Sequence, residues 1–354
     1  MTWWAGGARR LRASRASRVA GAVAVVAALL AGCTPPPERP GPRPGAPVAP
    51  IVRVGTGGSL YDTGLLLAIG RGYLAEQGIE LEQVGFSTPF GVLWPVVAGQ
   101  LDVGTASPSV DFFDALAKPA APRIVASAGE AQPGASPAAF VLRADLARRP
   151  DLSLRGRPIG VDLYGLGGRE AALALARLRL TPSDVNLVDL PPDRAADALA
   201  DGQLDAAFVV EPDAARLEAA GRAARWLGVD TLDPGQELAV VLFSPNFAAH
   251  RPSVGARLLA AYLRALGEYT AALRSEATRA ALWQELAPLL GIDDPKTLAR
   301  LSPVAYPPDG APDVLSLATT QAYFLDAALL AHPADLSQAV DRSFLEEAPA
   351  YLPP

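Results

Sequence analysis

Two glycine runs are the residues best placed to do chemistry. They are Gly55-Thr56-Gly57-Gly58-Ser59 and Gly165-Leu166-Gly167-Gly168. Each follows a short apolar run and opens onto a helical pattern. Lacking a Cβ, glycines let backbone N–H groups approach a ligand, and a helix N-terminus adds free donors and a partial positive charge. That suits a polar or anionic small molecule held in place. Hydroxyls, backbone donors and aromatic faces gather at the same strand ends. In the first half they are Thr56, Gly57, Ser59 and Tyr61, then Ser87 and Thr88, then Thr105 and Ser107. In the second half they are Tyr164, Gly167, Gly168 and Glu211. Tyr61, Tyr164 and Trp94 are equally consistent with ordinary packing. A carboxylate such as Glu211 is seldom buried at a strand end without a partner, which reads as a ligand or hinge contact.

The chemistry that is missing narrows the class. No G-x-x-x-x-G-K-[ST] or G-x-S-x-G motif occurs, and the only lysines are Lys118 and Lys296. A dinucleotide reading of Gly165 and Gly167 fails at the third glycine, where Glu170 stands, although Asp189 lies near the place of a ribose-binding acid. His250 and His332 are the only histidines and read as loop residues, so a nucleophile with a histidine base is not visible. Carboxylates near strand ends, among them Asp62, Asp111, Glu130 and Glu211, leave paired-acid chemistry open. One cysteine allows neither an internal disulfide nor a thiolate metal site, and no cofactor is expected. The chain has 354 residues, half of them hydrophobic, which is enough for a large core. A net charge of -6 argues against nucleic acid as a partner.

The N-terminus reads as targeting rather than fold. Residues 1–32 carry five arginines and no acid, followed by an apolar run from Val19 to Leu30. At about a dozen residues, that run has signal-peptide length and falls short of the ~20 a membrane span needs. It ends in Leu30-Ala31-Gly32-Cys33, which looks like a bacterial lipobox, with Cys33 as the lipidated residue. Residues 34–50 contain eight prolines and read as an extended tether behind the lipidated Cys33. The expected location is therefore extracytoplasmic and lipid-anchored. Loss of the five arginines takes the mature chain to a net charge of -11.

The elements that must position the glycine runs alternate from residue 51 onward. Strands are expected at Ile51–Val54, Ile79–Val84, Val103–Thr105, Ile124–Ser127, Ala138–Leu142, Ile159–Leu163, Val185–Leu190, Ala206–Val210 and Leu238–Phe243. Helices fall between them, including Leu65–Leu74 and Arg169–Leu180, and after Phe243 the chain is mostly helical. Such alternation predicts parallel sheets faced by helices, with ligands beyond the carboxyl ends of the strands. An internal echo suggests two similar lobes. Gly99-Gln100-Leu101-Asp102 precedes one strand, and Gly202-Gln203-Leu204-Asp205 precedes another.

Five motifs then carry a family resemblance. Leu67–Leu81, with Gly70-Arg71-Gly72-Tyr73-Leu74, resembles the "A-x-x-K-G-Y/F-F-x-x-x-G-L-x-V" stretch of ABC-transporter substrate-binding proteins for nitrate, sulfonates, taurine and thiamine-pyrimidine precursors. Ala98–Gly104, Leu154–Val161, Asp205–Pro212 and Val340–Phe344 are similar to later motifs of that family, in order. The resemblance implies an α/β, type II periplasmic-binding-protein fold: two α/β lobes joined by two crossovers, with a helical C-terminal part. It puts residues 51–130 plus 240–354 in one lobe and 138–232 in the other. Hinges would lie near Gly129–Pro137 and Asp233–Glu237. It also implies a monomer that hands a small molecule to ABC permease and ATPase subunits. The ligand would be sulfonate- or nitrate-like, or pyrimidine- or flavin-like. Sensing by the same fold stays open. So does the related fungal thiamine-pyrimidine synthase, although its cysteine-rich motif is absent here.

Overall fold

The strands form where short runs of β-branched and apolar residues meet glycine-marked ends. They are β1 (Ile51–Thr56), β2 (Glu80–Gly85), β3 (Val103–Ala106), β4 (Arg123–Glu130), β5 (Ala138–Arg143), β6 (Pro158–Val161), β7 (Asn186–Asp189), β8 (Ala206–Val210), β9 (Ala223–Gly228) and β10 (Glu237–Phe243). The computed structural model describes residues 49–352, apart from Ser87, Pro89, Phe90 and residues 150–152. The signal segment, Cys33, nearly all of the tether and Ser87 lie outside the described residues.

Two five-stranded sheets result, in the orders β2-β1-β3-β10-β4 and β7-β6-β8-β5-β9. The expectation of wholly parallel sheets is corrected here. β10 runs antiparallel to β3 and β4, and β5 runs antiparallel to β8 and β9. The reason is connectivity. Each odd strand arrives through a crossover from the other sheet, so it enters from the opposite end. β10 is buried along its whole length, as a strand covered on both faces must be. The two crossovers also pair with each other: Gly235 N–H donates to Ala131 O at 2.7 Å and Ala131 N–H to Gln236 O at 2.9 Å.

The two sheets repeat one plan. β1, β2, β3 and β4 correspond in position to β6, β7, β8 and β9, and the exchanged strands β10 and β5 correspond to each other. The four-residue echo falls at matched places before β3 and β8. Gly99 and Gly202 end their helices at φ of 69° and 76°, in the left-handed region that glycine fills without a Cβ clash. The aspartates that follow do the same work. Asp102 accepts from Arg251 (2.9 Å) and the Arg53 backbone (2.9 Å); Asp205 accepts from Arg143 (2.6 Å) and Arg157 (2.8 Å). Arg143 ends β5, the counterpart of β10, whereas Arg251 stands beyond the helix Pro245–His250 that follows β10. Both aspartates lie at the amino ends of their strands, away from any ligand, and lock the strands into register.

Helices cover the sheets. The helix Pro252–Ala272 packs on Thr63–Gly70, and its buried Tyr262 hydroxyl donates to Ser127 O at 2.7 Å. Phe243 stacks edge-on with Phe247 and Phe344, at 4.9 and 5.1 Å. Phe344 closes the Val340–Phe344 motif, and Asp341 N–H bonds to Ile124 O at 2.9 Å. The tail motif therefore sews the chain end onto the first sheet.

Three details depart from the sequence reading. The helical run Leu65–Leu74 breaks at Gly72, which sits at φ 76° between Thr63–Gly70 and Tyr73–Glu76. β9, unexpected from Ala-Ala-Arg-Trp-Leu-Gly, is an edge strand that among the described residues pairs only with β5, so tertiary pairing overrides weak propensity. His250, read as a loop residue, ends the helix Pro245–His250 with its ring against Asn246 O.

Candidate functional site

The carboxyl ends of β1, β3, β6 and β8 converge on a cleft between the sheets. Three adjoining cavities of about 90, 100 and 40 Å³ mark it. Ser59, Tyr61, Thr105, Ser107 and Asp111 line it from one side; Asp162, Gly167, Phe208 and Val210 line it from the other. The lobes touch along the rim, where Val110 N–H donates to Tyr164 O at 2.8 Å and Ser109 bridges Gly165.

The first glycine run does not point its donors into the cleft. Gly57 N–H (2.9 Å) and Ser59 N–H (3.2 Å) both donate to Asp62 Oδ2, and the Thr105 hydroxyl donates to Asp62 Oδ1 at 2.5 Å. Asp62 is wholly buried. Burial pushes its carboxyl above the usual range, and these donors pull it back. An internal carboxylate thus occupies the cradle that a bound anion would use. The Thr56 hydroxyl is also taken, by Gln83 Nε2 at 3.1 Å.

The second run differs. Gly168 N–H donates to Asp162 O at 2.8 Å, and Tyr164 N–H to Asp162 Oδ1 at 3.2 Å. The glycines here serve close packing. A Cβ on Gly165 would lie 2.2 Å from Asp162 Oδ2, and one on Gly168 would lie 2.7 Å from Leu163 O. Asp162 stays only partly buried, and burial raises its carboxyl, with the charges of Asp189 and Asp111 adding to the rise.

The remaining expected residues separate. Ser59, Tyr61, Thr105, Ser107 and Gly167 meet in the cleft, and Gly57, Thr88 and Glu211 line its third cavity. Gly168 packs behind the wall. The Tyr164 side chain is 52% exposed at the rim. Both oxygens of Glu211 are engaged within the chain. Oε1 accepts from Arg225 (2.8 Å) and Ser302 N–H (2.9 Å), and Oε2 from Ala215 N–H (3.0 Å). Burial raises its carboxyl and Arg225 opposes the rise. Glu211 therefore ties the end of β8 to the segment after the helix Pro295–Leu298. That segment crosses near the first crossover too, since Ser136 N–H donates to Ser302 Oγ at 2.9 Å.

Sequence reasoning did not single out Asp162, Asp193, Phe208 or Arg216 as cleft residues. Asp162 and Phe208 fall inside the predicted strands Ile159–Leu163 and Ala206–Val210, and Asp193 and Arg216 lie in the first turns of the helices Pro192–Ala200 and Asp213–Ala219. Arg216 pairs with Asp213 at 2.7 Å. Below the cleft, Glu170 is wholly buried. Its Oε1 takes Arg169 at 3.0 Å, Oε2 has no partner among the described residues, and burial lifts its carboxyl to about 8. Arg169 reaches on to Asp233 in the second crossover. Tyr61 is pushed up as well, by burial first and then by the charges of Glu211 and Glu170.

A profile described as NMT1/THI5 like matches residues 59–272, more than half of the chain and the span that holds nearly all of this cleft. The chain belongs to the NMT1/THI5-like family. Among solved structures it is similar to the alkanesulfonate-binding protein SsuA from Xanthomonas axonopodis pv. citri, bound to MOPS. That match has 21% identity and a TM-score of 0.65, and covers 84% of this chain and 100% of that one. The periplasmic nitrate-binding protein NrtA from Synechocystis PCC 6803 matches at 13% identity and TM-score 0.69, covering 87% and 90%. The desulfurization enzyme DSZB matches at 21% identity and TM-score 0.61, covering 85% and 99%. A search of curated proteins finds no match. At these identities the structures establish the fold: this NMT1/THI5-like chain is a two-lobed periplasmic-binding-protein α/β structure. The fold serves both transport proteins and an enzyme.

Proposed function

We propose that this chain is the extracytoplasmic, lipid-anchored substrate-binding component of an ABC importer. Its lobes, residues 51–130 plus 240–354 and residues 138–232, clamp a small molecule and deliver it to permease and ATPase subunits as a monomer. Cys33 carries the lipid and residues 34–50 form the tether. The observation that carries this reading is the cleft lined from both lobes at the carboxyl ends of four strands. Such a cleft changes shape when the lobes turn about the paired crossovers, and closure is driven by contacts made only in the closed form. No histidine or cysteine stands among the cleft's described lining residues, and the hydroxyls there suit holding better than bond-making.

A thermal-shift screen of residues 49–354 tests it, with alkanesulfonates, taurine, nitrate, pyrimidines and riboflavin. A ligand at 100 times its Kd stabilises by about 2.7 kcal/mol. Silence across the panel, or turnover of any member, sinks the transport reading. Anchoring is tested separately: Cys33→Ser should move the protein from the membrane fraction to the soluble one.

A further inference from the structure

The clamp reading leaves the charge of the ligand open, and the cleft's own groups address it. Three of the donors an anion could use are already taken: Gly57 N–H, Ser59 N–H and the Thr105 hydroxyl all face Asp62. Ser109 Oγ accepts from Phe112 N–H as a helix cap. Among the described residues lining the two cavities of about 90 and 40 Å³ there is no lysine or arginine, and the arginine that lines the third, Arg216, is paired with Asp213. Those walls instead present one carboxylate from each lobe, Asp111 in the first turn of the helix Val110–Leu116 and Asp162 just past β6. Like charges facing each other across a closing cleft oppose closure, and a cation between them reverses the sign.

A third group points the same way. Glu170 follows Leu166 by four residues on one helix, so it lies on the face that meets the cleft, one turn deeper. It is wholly buried with Oε2 unpartnered among the described residues, one turn behind the Leu166 that lines the cavity. A buried acceptor left open is a costly arrangement that a donor from a ligand would relieve. Tyr61, Trp94 and Phe208 supply aromatic surface around the same space.

We propose that the cleft takes an organic cation, an ammonium or protonated heteroaromatic amine on an apolar or aromatic body, held between Asp111 and Asp162. This rests on the clamp reading and decides its ligand class. Three probes that share a phenyl body and differ in charge test it by calorimetry at low salt on residues 49–354: benzylammonium, benzyl alcohol and benzenesulfonate. Benzylammonium should bind roughly tenfold or more tightly than benzenesulfonate. Asp111→Asn and Asp162→Asn should each weaken the ammonium severalfold, weaken benzyl alcohol far less, and leave the melting temperature near that of the parent. Equal or tighter binding of the sulfonate, or an ammonium affinity indifferent to both variants, overturns the inference and leaves the clamp standing. Failure of all three probes also overturns it, and the clamp falls with it only if the wider ligand screen is silent too.

Discussion

The two glycine loops occupy the same place in the two lobes, after β1 and after β6, yet they differ in what they hold. In the first, backbone donors and a threonine saturate a buried aspartate, Asp62. In the second, Asp162 keeps part of its carboxylate open to the cleft. The helices that follow differ as well. The fifth residue of Thr63–Gly70 is the buried Leu67, whereas the fifth of Leu166–Arg177 is the buried Glu170. The first loop has therefore internalised its charge with full satisfaction. The other leaves acceptors unmatched near the cleft. Unmatched polar groups in a folded chain are where a ligand has something to gain, so the second loop is the more informative of the two.

The contrast can be broken in five ways, taken from the largest effect down. Glu170 has a folded pKa raised to about 8 from an ordinary 4.5. Its contribution to stability is fully present below about pH 4.5 and is lost as pH rises through about 8. Glu170→Gln should therefore flatten the fall in stability between those values, by roughly 2–5 kcal/mol, in urea melts at a series of pH. An unchanged slope would mean that Glu170 is ionised without penalty. Asp62→Ala strands three donors in the interior and should cost about 2–4 kcal/mol in the same melts. Gly168→Ala must move the backbone at Leu163 and should cost about 1–3 kcal/mol. Gly58→Ala meets open space at φ 70° and should cost only about 1–2 kcal/mol, from the left-handed backbone alone. If Gly58 proves the more sensitive, the close packing assigned to the second loop is wrong. Asp162→Asn should change stability by less than about 0.5 kcal/mol, against the much larger loss at Asp62.

Much of the fold was legible because strong local signals agree with it. The four-residue echo, the terminal glycines and the apolar strand runs each report a backbone requirement, and the aspartates of the echo turn out to lock matched strands. The motifs behind the family resemblance are largely structural too. Tyr73 bonds Glu268 at 2.5 Å, Arg157 holds Asp205, and Phe344 packs on Phe243. The antiparallel strand in each sheet was not legible, because a crossover between sheets leaves no mark on local periodicity. β9 was hidden for a similar reason: its Ala-Ala-Arg start has little strand preference, and pairing with β5 decides its state.

The site was less legible than the fold. The glycine runs and hydroxyls were placed correctly at strand ends, but sequence cannot say which way a donor points. Gly57 and Ser59 turn inward to Asp62, five and three residues away, a local bond that competes with any ligand. Glu211 was conspicuous as an acid at a strand end, and its partners Arg225 and Ser302 come from distant segments that only folding brings together.

The central claim is that two lobes close on a cation held between Asp111 and Asp162. The most direct measurement is the distance between the lobes in solution. Residues 49–354 contain no cysteine, so spin labels at Asp114→Cys on one lobe and Arg194→Cys on the other report it alone. Both positions are exposed. With saturating benzylammonium the label–label distance distribution should narrow and shorten, and with benzenesulfonate at the same concentration it should stay where the free protein lies. Shortening with the sulfonate, or no change with the ammonium at saturation, would contradict the account.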